Sequence, residues 1–214
     1  MAVHLHAAFV PPASLITELV ALVRAQEPSP PEPPRPIARR SLLGRRTVQE
    51  QPAPGPVGPL LDLLESGMWV PVTDFGFVRP AVAHDLMATI ARAAERYSPP
   101  RVVLSGGAAL VDDDDRFVWV ELKADDDSVE VMRQITREVV AVVERLGFYC
   151  DRRQFRSRIP LAAVNDRTTV EHLEALIAAL DAHVSEPWTV DEMSVLQRGT
   201  GTYEKVVIGA DPEG

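Results

Sequence analysis

Residues 188–206, WTVDEMSVLQRGTGTYEKV, decide how this chain is read. WTVDEMSVLQ (188–197) has the valine and acidic composition of a half-buried strand. A polar, glycine-bearing turn follows, and TYEKVVIG (202–209) supplies a second strand that carries Tyr203. The expectation is a hairpin that closes the chain.

Toward the N-terminus, strands and helices alternate. TTVEHLEALIAALDAHV (168–184) predicts a helix capped at Thr168 or Thr169, and RQFRSRIPLAAV (153–164) a strand. Within the latter, Arg156 and Arg158 fall on one face beside Pro160, an unusual concentration of cations for a strand. Before it, Asp127 and Glu130 form a capping-box pair, Met132, Ile135, Val139, Val142 and Leu146 make a helical stripe, and Gly147 ends it. RVVLSGGAALV and RFVWVELKA read as strands joined by the turn Asp112 to Asp115, with a bulge at LSGGAAL. A helix over Pro80–Arg96 buries Leu86, Ile90, Ala94 and Tyr97. MWVPVTDFGFV (68–78) is a strand, and LLDLLE (60–65) a short turn of helix. A helix over Pro12–Gln26, with Leu15, Leu19, Leu22 and Val23, and the strand AVHLHAAFV (2–10) open the chain. Strand, helix and further strands recur in both halves, which predicts an α+β protein of duplicated lobes.

The 214 residues suffice for one large domain or two small lobes. No apolar run approaches the roughly 18 residues of a membrane span, and MAVHLHAAFVPP lacks the basic start of a signal peptide. A single cysteine, Cys150, rules out an internal disulfide and fits a reducing cytoplasm; it reads as an inert core thiol. The net charge of −9 argues against broad binding to a phosphate backbone. Residues 28–58 depart from the rest: proline-rich and basic, they read as a disordered insertion, with Ser41 and Thr47 behind arginine pairs as phosphoacceptors or as part of a docking segment for a protein partner.

Chemistry-bearing residues are sparse. His4 and His6 share a strand face at a spacing that suits a metal, but no third ligand is evident, so neither metal nor cofactor is expected. His84, His172 and His183 fall on helices as surface or boundary residues. The run Asp112 to Asp115 reads as a turn, because the spacing of a calcium loop is missing.

AAFVPP with its helix, WVPVTDFGFV, RFVWVELKA with its long helix, FRSRIPLAAV and the closing stretch together resemble the two-histidine phosphoesterase superfamily, which includes the 2′-5′ RNA ligase-like proteins and cyclic phosphodiesterases. The resemblance spans residues 1–27 and 59–214 as one bilobal domain. It implies two antiparallel sheets facing a central cleft, with helices packed outside. It also implies a His-x-Thr/Ser motif from each lobe, the histidines acting as general base and general acid and the hydroxyls holding phosphate oxygens.

Both motifs are degenerate here. The first falls at Pro71 and Thr73, the second at Arg158 and Pro160. Proline carries no exchangeable proton and arginine stays protonated, so a contribution of ~10²–10⁴-fold per proton-transfer group is lost. Arginine still grips phosphate through its planar fork. The expected function is therefore binding without cutting: a nucleotide or RNA end held by Thr73, Arg156 and Arg158 in a cytoplasmic monomer. Two alternatives stand beside it, a module that recruits proteins through 28–58 and a phosphodiesterase that uses His4 or His6.

Overall fold

In the first strand, β1 (Val3–Phe9), Leu5, Ala7 and Phe9 are buried while His4 and His6 between them are partly covered. Period-two patterning thus gives this strand a core face and an open face. The computed structural model describes residues 1–27, 59–64, 67–112, 115–123, 126–150 and 155–209. After β1 come α1 (Ala13–Gln26), β2 (Leu61–Leu63), β3 (Val70–Val78), α2 (Pro80–Ala94), β4 (Arg101–Asp112) and β5 (Asp115–Lys123). The chain continues with α3 (Asp126–Arg145), β6 (Arg158–Val164), α4 (Val170–Ala182), β7 (Trp188–Thr189), β8 (Glu192–Gln197) and β9 (Gly201–Val207).

The strands form two antiparallel sheets, ordered β3-β1-β8-β9 and β2-β6-β5-β4-β7. Helices cover one face of each. α2 lies against α3 and β9; α4 lies along β4, with α1 beside it. Leu86 and Ile90 of α2, and Met132, Ile135, Val139 and Val142 of α3, are buried as their spacing predicts. At Gly107 an added Cβ would fall 2.8 Å from the Leu180 Cβ, so a glycine is what lets α4 lie close on β4. The predicted bulge in LSGGAAL is present between Leu104 and Gly107, with Gly106 at φ 88°. The helix-free faces oppose each other across the cleft, the bilobal α+β architecture that the resemblance implies.

Several expectations are corrected. Within LLDLLE, Leu61–Leu63 form strand β2 in place of the expected turn of helix; an apolar run this short suits either state, and the outer edge of β6 recruits it through Leu61↔Val164 and Leu63↔Ala162. WTVDEMSVLQ is not one strand: Trp188–Thr189 pairs with β4 in the second sheet, and Glu192–Gln197 pairs with β1 in the first. α3 begins at Asp126, so Asp127 lies inside its first turn, and the Glu130 carboxylate binds Arg133 and Arg137 instead of capping. Leu146 lies beyond the helix end, 41% exposed. Thr169 is the N-cap of α4, accepting from the His172 N–H at 3.2 Å. His172 is buried, not superficial. The lobes are not chain halves either, since the first sheet joins β1 and β3 to β8 and β9. Residues 28–58, with Ser41 and Thr47, lie outside the described residues. Among the described residues no helix is long and apolar enough to cross a membrane.

Candidate ligand cleft

β3 and β6 are built alike. On β3, Pro71 faces Ala8 and Thr73 faces Ala7, leaving Val72 as the extra residue of a bulge. On β6, Pro160 faces Trp119 and Ala162 faces Val118, leaving Leu161 as the extra residue. Proline has no N–H to donate and so needs a strand edge. β3 is the edge of its sheet. The pairing of β2 with β6 begins at Ala162, and the Leu64 N–H donates to the Leu161 carbonyl at 2.9 Å, so Pro160 sits just beyond it.

Matching the two bulges sets Pro71 with Pro160, Val70 with Ile159, and Trp69 with Arg158. By this match the place of Arg158 falls at Trp69, two residues before the expected Pro71. Thr73 matches Ala162; both are fully buried, and Thr73 lies opposite Ala7 on the core face. The Thr73 hydroxyl is therefore not a cleft donor. The bulge causes this, because the extra Val72 shifts the in–out alternation by one residue. Buried beside Cys150, the Thr73 hydroxyl finds no hydrogen-bond partner of normal geometry among the described residues. Burial pushes the Cys150 thiol above its ordinary value, and Thr73 only partly offsets this.

The open face of the first sheet carries imidazole and aromatic groups. His4 faces Phe77 and His6 faces Asp74. His4 Nε2 lies 3.5 Å from Asp74 Oδ1, which also accepts the Gly76 N–H at 2.6 Å. The His6 and Trp69 rings are 5.4 Å apart at 38°. Burial holds His6 below the usual histidine range, His4 and Arg198 push the same way, and Asp74 opposes them. Burial thus favours the uncharged form of the His6 ring.

The second face is cationic. The Arg158 guanidinium lies 4.5 Å from the Trp119 ring centroid, and that of Arg156 lies 5.9 Å from it. Trp119 is buried to 7% exposure, and its indole N–H finds no partner among the described residues. Glu121 stands opposite Arg158 in the β5–β6 register. An open pocket of about 370 Å³ is lined by Glu121, Arg133, Phe155, Arg156, Ser157 and Arg158.

The structure thus brings Arg156 and Arg158 together at one pocket and places Pro160 opposite Trp119, but leaves Thr73 in the core. Sequence reasoning missed Trp69 and Trp119. The signal for Trp119 was present in RFVWVELKA, where period two puts Phe117, Trp119 and Glu121 on the face that holds the arginines. Chemically, Trp69, Pro71, Arg158 and Pro160 cannot exchange protons near neutrality. A guanidinium stacked on an indole presents cationic donors to an anion.

The sequence matches no family model and no curated protein. The fold, however, is similar to that of solved structures over nearly the whole chain. LigT of E. coli with NADP+ is 15% identical at a TM-score of 0.55, covering 97% of this chain and 98% of that one. LigT with 3′-AMP is 16% identical at 0.55, covering 98% and 99%. TT0787 of Thermus thermophilus is 14% identical at 0.59, covering 97% and 99%. The fold is that of the two-histidine phosphoesterases.

Proposed function

We propose that the cleft binds a phosphate-bearing ligand, a nucleotide or an RNA end, and does not cut it. The observation that carries this reading is Arg158 laid over Trp119, in the second sheet's motif position. Trp69 in the matching place leaves no acid–base pair across the two positions. Consistent with a ligand of this class, LigT, whose fold the chain shares, is found with NADP+, 3′-AMP and ATP. In this reading 1–27 and 59–214 form one binding unit, and 28–58 is appended to it.

Titration of mononucleotides and short RNA ends against wild type and Arg158→Ala tests the reading. A charge-assisted hydrogen bond is worth ~1.5–3 kcal/mol, so the variant should bind about tenfold to a hundredfold more weakly. Loss of the stacking should cost only about 0.5–2 kcal/mol of stability. No binding at millimolar concentration would sink the anion site and favour recruitment of a protein through 28–58. The His4–Asp74 pair beside His6 favours a second reading, a phosphodiesterase built on the first strand. Turnover of 2′,3′-cyclic nucleotides that vanishes in the His4→Ala, His6→Ala double variant would establish it; the expected turnover is none.

A further inference from the structure

We propose that Trp69 is the platform on which the ligand's nucleobase stacks, so that the cleft reads a nucleotide with its base on the first sheet and its phosphate on the second. This deepens the phosphate-binding reading and rests on it. Trp69, the residue just before β3, stands as far ahead of its bulge as Arg158 on β6 stands ahead of the other. One place carries a flat aromatic ring, the other a cation, which matches the two unlike ends of a nucleotide.

Two further observations single out Trp69. The face of Trp119, the other indole of the cleft, is taken up by arginine: Arg158 lies 4.5 Å and Arg156 5.9 Å from its centroid. A base therefore has no access to that ring without displacing a guanidinium. Trp69 meets the His6 ring instead, at 5.4 Å, and is only partly buried. The two rings are tilted by 38°, a contact that holds the indole against the first sheet. Across the cleft, Arg156 and Arg158 line the open pocket and supply the cations that suit the phosphate end.

Isothermal titration with inorganic phosphate, ribose 5-phosphate and adenosine 5′-monophosphate separates the two ends of the ligand. Base–aromatic stacking predicts that wild type binds the nucleotide roughly five- to a hundredfold more tightly than ribose 5-phosphate. In Trp69→Ala that gap should close while ribose 5-phosphate affinity stays unchanged. Trp69→Phe, which keeps a stacking ring, should retain most of it, and this guards against loss of fold in the alanine variant. Equal affinity for nucleotide and ribose 5-phosphate in wild type, both lost in Arg158→Ala, overturns the platform and leaves the phosphate site standing. If none of the three compounds binds at millimolar concentration, both readings fall.

Discussion

The two motif strands share a backbone and differ in chemistry. Trp69-Val70-Pro71 and Arg158-Ile159-Pro160 each run into a bulge, and each buries its central aliphatic completely. Around the first stand His4, His6 and Asp74; around the second, Trp119, Glu121 and Arg156. Residues that face the helices are constrained by packing, because a core responds to a change of even one methylene. Residues that face the cleft meet water or a ligand and are free of that demand. The same device therefore carries an aromatic and imidazole surface in one lobe and a guanidinium surface in the other. A pair of equivalent positions shaped for symmetric chemistry would carry like side chains; these two do not, which is the premise of the proposed two-ended ligand.

The largest effects should come from the shared backbone device. Leu161 and Val72, the extra residues of the two bulges, are both fully buried. Leu161→Ala should cost about 2–5 kcal/mol in chemical denaturation, and Val72→Ala less, because it removes fewer buried carbons. Both should shift one common transition. Two separable transitions would show that the lobes unfold independently and break the comparison.

Exchanging the matched pair Thr73 and Ala162 should have a smaller, opposite-signed outcome. Ala162→Thr buries a hydroxyl at a fully covered position and should cost about 1–3 kcal/mol. Thr73→Val removes an unsatisfied hydroxyl and should leave stability unchanged or raise it by up to ~1 kcal/mol, with phosphate affinity intact. A clear loss of ligand affinity in Thr73→Val would mean that its hydroxyl reaches the cleft after all.

The smallest effect concerns pH. The bulge match sets His6 with Phe117, so His6→Phe makes the first face more like the second. Burial lowers the His6 value in the folded state, so the unfolded chain takes up the proton first. Its stabilising contribution is present above the ordinary histidine range and is lost as pH falls through the depressed folded value. Denaturation midpoints between about pH 8 and pH 5 should therefore fall more steeply in wild type than in His6→Phe. A wild-type midpoint that rises on acidification over that range would reverse the assignment. His4, Asp74 and Arg198 act on the same ring, and all three are retained in the variant.

Much of the fold was legible because its signals are local. The stripe on α3, the proline start of α2 and the bulge at Gly106 each follow from a few neighbouring residues. What escaped depends on partners distant in the chain. Leu61–Leu63 became a strand because β6 had an open edge, and Trp188 left its hairpin because β4 had one too. In the site, Arg158 and Pro160 were legible from period-two alternation. Trp69 was hidden because the bulge at Val72 moved Thr73, the hydroxyl that anchored the motif reading, onto the other face.

The arrangement of the first sheet bears on how the protein is made. Its inner strands are β1, near the start of the chain, and β8, near the end, and the two hydrogen-bond from Leu5↔Gln197 to Ala8↔Ser194. During synthesis β1 and β3 emerge early but wait for almost all of the remaining chain before that sheet has an interior. Such distant pairing is slow, because the intervening chain must be ordered before its contacts are rewarded. The second sheet is assembled mostly from contiguous residues between β4 and β7, with β2 added at its edge, so the arginine side of the cleft has its framework while the tryptophan side is still waiting. Until β8 arrives, the β1–β3 ribbon presents the open edge of β1, which a strand from another chain could pair with.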